Sequence, residues 1–143
     1  MPIILILLTI GCTGTPSLSD GFGIYDSLVH INEISPGEEE VIPLTIVNGE
    51  DLDRLFTIST NLPSEVKEGF EPLPAEYYCW IAIPETEVFI SAGESHQIPI
   101  TLSMPTDIIY QDKKTEVRIL VEDITQGGLH TALEARWFIT TGN

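Results

Sequence analysis

The sequence predicts an all-β fold, an antiparallel β-sandwich of about 7–9 strands, and three observations carry that prediction. Apolar residues alternate with polar ones in short runs, as in Ile42, Leu44 and Ile46 or Ile98, Ile100, Leu102 and Met104. Pro, Gly, Asn or Asp interrupts the chain about every 8–15 residues, which is the rhythm of short strands joined by turns. No stretch of useful length carries the 3.6-residue apolar period of an amphipathic helix.

The first element reads as a leader. Ile3 to Ile10 reads IILILLTI, far short of the roughly 20 apolar residues that a membrane-spanning helix requires. Gly11 and Cys12 follow at once, and then the small, polar segment Thr13 to Asp20. This layout resembles the signal of an exported lipoprotein, with Cys12 as the lipidated first residue of the mature chain. The implied division is a leader at 1–12, a flexible tether at 13–22 and the sandwich at 23–143. The competing reading makes Ile3 to Ile10 a buried strand, since Ile and Leu runs also build sheet cores.

Within the sandwich, strands are expected at Ile24–Ile31, Val41–Val47, Arg54–Thr60, Tyr78–Ile83, Glu87–Ile90, Gln97–Met104, Glu116–Glu122 and Leu129–Thr140. The last two form a hairpin in which Val117, Ile119 and Val121 face Leu133, Ala135, Trp137 and Ile139. Gly127-Gly128 would supply the positive φ of its turn. Asn61 to Glu76, with three prolines, Gly69 and several acids, reads as one long surface connection, the sort of segment that carries binding specificity.

A near repeat organises the middle of the chain. Ile34-Ser35-Pro36-Gly37-Glu38 leads to Ile42-Pro43-Leu44-Thr45-Ile46, and Ile90-Ser91-Ala92-Gly93-Glu94 leads to Ile98-Pro99-Ile100-Thr101-Leu102, 56 residues later. Each copy places a Gly-containing turn before a strand with an outward proline, whose missing N–H is tolerated at an edge or a bulge. The expectation is one hairpin made twice. Two copies are too few to stack as a solenoid.

Pro36-Gly37-Glu38, Pro43 to Asn48, Trp80-Ile81-Ala82-Ile83-Pro84, Ala92 to Ser95 and Met104-Pro105 together resemble a family of prokaryotic Ig-like surface modules. These are similar to the module found beside α-galactosidase and sugar-binding domains and to extracellular domains of cell-wall-associated proteins. The resemblance spans about Leu28 to Thr140 and implies an Ig-like sandwich with a non-catalytic, extracytoplasmic role; it supplies no ligand contacts residue by residue.

Composition narrows the partners. Twenty-two Asp and Glu against six Lys and Arg give the 143-residue chain a net charge of −16, a field that repels phosphate backbones and anionic headgroups, so nucleic acid is excluded as a partner. With 43% hydrophobic residues there is ample material for one core. Two cysteines, Cys12 and Cys79, cannot make a disulfide scaffold, and Cys79 beside Trp80 reads as a buried, inert thiol.

Catalytic and metal-binding patterns are missing from the sequence. His30, His96 and His130 fall on different strands without zinc-ligand spacing, and no nucleotide or serine-hydrolase motif occurs. Glu38-Glu39-Glu40 and Asp51-Leu52-Asp53 could offer oxygens to calcium but lack the spaced acidic loop. Trp80 reads as the core plug of the sandwich, while Tyr77 and Tyr78 are the candidate ligand-binding surface, for sugar stacking or protein contact. The resulting expectation is a non-enzymatic binding or structural module of the cell envelope, without cofactor, tethered by lipid rather than by a spanning helix. Its partner would be an envelope protein or polysaccharide. The alternative is a structural subunit of a virion or extracellular filament that joins copies of itself through edge strands and the N-terminal segment.

Overall fold

A computed structural model describes residues 21–106, 112–125 and 131–142. The leader with Cys12, most of the tether, Gly127-Gly128 and His130 lie outside the described residues. Ten strands occur among the described residues. They are β1 (Phe22–Tyr25), β2 (Leu28–Ile34), β3 (Glu39–Asn48), β4 (Arg54–Asn61), β5 (Glu71–Pro72), β6 (Ile81–Ala82), β7 (Glu87–Ile90), β8 (Ser95–Ser103), β9 (Lys114–Asp123) and β10 (Ala132–Thr141). One 3₁₀ helix, Ala75–Trp80, precedes β6.

The strands form two sheets. One has the order β1-β3-β8-β6, and the other β2-β10-β9-β4-β7 with β5 attached to β9. The expected all-antiparallel pairing holds for the first sheet, whereas β2 pairs β10 and β5 pairs β9 in parallel. The expected single strand Ile24–Ile31 is broken because Asp26 takes φ 63°, a left-handed turn that carries the chain from the first sheet to the second. Both halves still bury their apolar positions, Ile24 and Ile31.

The hairpin of β9 and β10 has the expected register, with Val117 opposite Trp137, Ile119 opposite Ala135 and Val121 opposite Leu133. All of these are buried except Leu133, 37% exposed. Strict alternation explains why the inward set was readable: a one-residue slip would put Trp137 in solvent and Arg136 in the core.

The repeat is built differently from the expectation. Its two turns are not hairpin turns; each takes the chain from the second sheet to the first. In both, the residue after the turn donates to the serine that opens it (Glu38 N to Ser35 O and Glu94 N to Ser91 O, each 3.0 Å), with Gly37 at φ 84° and Gly93 at φ 75°. These are type II turns, which require a positive φ at their third residue. The strands that follow, β3 and β8, then pair with each other, with Pro43 directly opposite Pro99.

Neither proline sits on an edge strand, so a different device excuses the missing N–H. Asn48 N donates to Glu94 O and Met104 N to Glu38 O at 2.9 Å, which makes the even positions of β3 the hydrogen-bonded ones and Pro43–Pro99 a non-hydrogen-bonded pair. Their nitrogens therefore point away from each other. On those sides β1 reaches only from Thr45 to Asn48, and β6 covers only Thr101 and Leu102. Among the described residues, no strand pairs with either proline on that side.

Asn48 ends β3 fully buried. Its Nδ2 donates to Leu52 O at 2.8 Å and Ile90 O at 3.0 Å, and its Oδ1 accepts from Glu50 N at 3.1 Å. One side chain thus ties the 49–53 turn to the end of β7 in the opposite sheet. Asn48→Ala is expected to lower stability by about 2 kcal/mol through the carbonyls left unpaired, measurable as a lower urea midpoint at unchanged m-value.

Candidate functional site

At one end of the sandwich the chain from Glu71 to Trp80 folds back over the beginning of β9 and the end of β10. β5 lies parallel to β9, with Glu71 opposite Thr115 and Pro72 opposite Glu116. Leu73 N then donates to Glu116 O at 2.9 Å, and its side chain, 1% exposed, plugs the core. Pro74 follows, with a fixed φ that suits entry into a helix and no N–H to satisfy.

From there the 3₁₀ geometry decides which residues meet. Three residues per turn eclipse side chains at i and i+3, so Tyr77 and Trp80 stack, ring centroids 4.7 Å apart and planes 19° from parallel. Both are half-buried and packed against the core cluster. Trp80 is therefore not the mid-strand core plug that its sequence context suggests; that place is taken by Trp137, 1% exposed. The same periodicity turns Glu76 and Cys79 outward, and the Cys79 Sγ donates to Glu76 O at 3.7 Å. Cys79 is exposed, which corrects the expectation of a buried, inert thiol. In the folded Cys12→Ser protein, Ellman's reagent is expected to titrate about one thiol without denaturant.

A half-open cavity of about 190 Å³ lies between this turn and the strand ends, lined by Glu71, Pro72, Leu73, Pro74, Tyr77, Trp80, Lys113, Thr115 and Thr141. Its far wall is rigid. Lys113 N donates to Thr141 Oγ1 at 2.7 Å, Thr141 N to Lys113 O at 2.9 Å, and Asp112 N to Thr141 O at 3.0 Å. Of the candidate pair, Tyr77 lines this cavity. Tyr78 packs on the core instead, with a buried hydroxyl that has no partner among the described residues, and burial pushes its phenol pKa up.

Next to the cavity, on the outer face of β9 and β10, is a charged cluster that the reading of the sequence did not single out. Glu116 is fully buried. It accepts from Arg118 Nε at 2.7 Å, Lys67 N at 2.8 Å and Arg136 Nε at 2.9 Å. Arg118 also donates to Glu134 at 3.0 Å and to Glu65 O at 2.8 Å. Burial pushes the Glu116 carboxyl up, but the hydrogen bonds from Arg136, Lys67 N and Arg118, with the Arg136 charge, outweigh it and hold the pKa at about 2. The cluster clamps the 62–70 segment onto the sheet, and Phe138, Phe70 and the Lys67 ammonium pack beneath it. Its signal was present: the hairpin register puts Glu116, Arg118, Glu134 and Arg136 on one face.

The other candidates take structural places. Glu38 Oε1 accepts from Ser35 N at 2.7 Å and Asp53 Oδ1 from Ala92 N at 2.9 Å, so these acids serve turns. His96 pairs with Glu85 at 2.9 Å, and His30 stacks on Phe138 with centroids 5.0 Å apart. Among the described residues no group of three His, Cys, Asp or Glu side chains could hold a metal ion. No helix among them is long and apolar enough to cross a membrane.

No family model and no curated protein matches the sequence. Solved structures do match by shape. The ASH/PapD-like domain 7 of human CEP192 aligns with a TM-score of 0.62 at 15% identity, covering 98% of this chain and 97% of that one. The periplasmic chaperone SfaE aligns at 0.61 and 10% identity, over 86% of this chain and 59% of that one. A protein from Bacteroides ovatus, named provisionally for carbohydrate binding, aligns at 0.59 and 17% identity, over 84% of this chain and 37% of that one. This chain thus spans nearly all of the first and only part of the other two. By fold it is an Ig-like, PapD-like β-sandwich.

Proposed function

We propose that the chain is a non-enzymatic binding module of the cell envelope, tethered to a membrane through lipid on Cys12, with 1–12 as leader, 13–22 as tether and 23–143 as the binding sandwich. The observation that carries this reading is the Tyr77–Trp80 cavity. It is a half-open site with an aromatic wall and a few polar groups, the make-up of a binding pocket. The extracytoplasmic location is supported by the Gly11-Cys12 leader and by the name of one structural neighbour, a periplasmic chaperone. A polysaccharide or protein of the envelope fits as partner, in keeping with the names of the chaperone and carbohydrate-binding neighbours.

The test is retention of envelope polymers and proteins by the immobilised full chain. The wild type is expected to retain a partner that Tyr77→Ser/Trp80→Ser loses while circular dichroism shows the variant still folded, at a lowered thermal midpoint. Equal retention by both proteins contradicts the reading.

One observation favours a second reading, the self-assembling subunit. Phe89 is 64% exposed on β7, an edge strand of the second sheet, and an exposed apolar edge is a template for strand addition. Concentration-dependent association that Phe89→Lys abolishes, seen by sedimentation, would support it; a monomer at all concentrations would remove it.

A further inference from the structure

We infer that the cavity between the 3₁₀ helix and the ends of β9 and β10 is a subsite for one uncharged sugar ring of an extracytoplasmic polysaccharide. This rests on the proposal that the cavity is the binding site and adds the chemistry of what enters it.

Size sets the first limit. At about 190 Å³ the cavity is smaller than the 300–1,000 Å³ of sites that enclose a drug-sized ligand. It admits one ring or one side chain, and its open side lets a polymer continue into solvent. The wall sets the second. Tyr77 and Trp80, stacked on each other by the 3₁₀ repeat, put aromatic surface with a polar tip into the lining, suited to a ligand with an apolar C–H face and a polar rim.

The polar lining then selects among such ligands. Glu71 offers an acceptor, Lys113 three donors, and Thr115 one donor with two lone pairs. None of these three side chains makes a side-chain hydrogen bond to another described residue. An apolar side chain entering here would strip water from them without replacing it, at a cost for each group. A ring bearing several hydroxyls replaces that water with donors and acceptors together. A polyanion is disfavoured because Glu71 offsets Lys113 locally and the whole chain carries −16. The walls need no rearrangement, since Leu73 N–Glu116 O and the Lys113–Thr141 bonds already fix them, and preorganisation lowers the cost of binding.

Trp80 can report on its own site. The chain has two tryptophans, so Trp137→Phe, verified as folded by circular dichroism, leaves Trp80 as the sole tryptophan, read by excitation at the red edge where tyrosine does not absorb. Titration uses linear oligosaccharides of glucose, mannose, galactose, xylose and N-acetylglucosamine, alongside affinity gels containing the corresponding polymers. At least one series is expected to give a saturable blue shift with protection from acrylamide. Thr115→Val and Lys113→Met should each weaken binding about tenfold, the loss of one ligand hydrogen bond.

If no neutral sugar gives a saturable response but Trp80 still governs retention of envelope proteins, the sugar assignment is overturned and the binding site stands. Binding of polyuronates alone would also overturn it. If neither sugars nor envelope material respond to Tyr77 or Trp80, the cavity itself is not the site and both readings fall.

Discussion

Replacing Glu116 by Gln is expected to destabilise the protein by about 3–5 kcal/mol, the cost of removing one partner from a buried ion cluster. The register explains the size of the effect. Arg118 and Arg136 are directly opposite each other on β9 and β10, and like charges in that position repel. Glu116 lies between them and accepts from both, as well as from the Lys67 N–H. The neutral amide removes the carboxylate that the two guanidinium groups share, leaving Glu134 as the carboxylate paired with Arg118, and loosens the 62–70 segment, which is joined through Leu73 to the cavity. Equilibrium urea unfolding at pH 7 measures this cost.

The same residue fixes a pH dependence. Its folded pKa, about 2, lies below the ordinary 4.5, so the folded state favours the carboxylate. This contribution is complete above about pH 4.5 and is lost progressively as pH falls through 2. The gap in stability between wild type and Glu116→Gln should therefore be widest at pH 5 and above and shrink toward pH 2. Taking the difference cancels the other acids of this highly acidic chain.

Trp137→Ala is the second large effect, about 3–5 kcal/mol. Trp137 is 1% exposed and stands opposite Val117, both of them buried in the central pair of the second sheet. The surrounding backbone is held in a ladder on both sides, β9 and β2, and cannot collapse into the space left. Against a typical total of about 5–15 kcal/mol for a domain, a large part of the native stability is at risk. A thermal melt reads the outcome; Trp137→Phe, which keeps an aromatic ring, should fall between the variant and wild type.

How far the sequence could be read depended on the range of the interactions. Alternation is local, so the inward faces of β3, β8, β9 and β10 were legible, with Leu133, 37% exposed near the start of β10, the exception. Asn48, at the end of a recognisable strand, turned out to be buried as well. The partner of a strand is not local. Two similar segments 56 residues apart look like two copies of one hairpin, and only the assembled sheet shows Pro43 facing Pro99. Asp26 breaks its strand through a φ that no apolar pattern encodes.

The candidate site was half legible. Tyr77 was chosen for its aromatic character after a proline-rich loop, but alternation assigned Trp80 to a strand and hence to the core. A three-residue period after Pro74 would have paired Tyr77 with Trp80 and turned Cys79 outward. The far wall, Lys113, Thr115 and Thr141, could not be seen, because it meets the turn only through the pairing of β5 with β9.

Tethering of the sandwich to a membrane through Cys12 is read from the intact mass of the native protein recovered from the membrane fraction, with Cys12→Ser as control. The expected result is a mature chain that begins at Cys12 and carries added acyl mass, and a Cys12→Ser protein that lacks this mass and leaves the membrane. An unmodified chain that retains Ile3 to Ile10 would rule out the lipid tether.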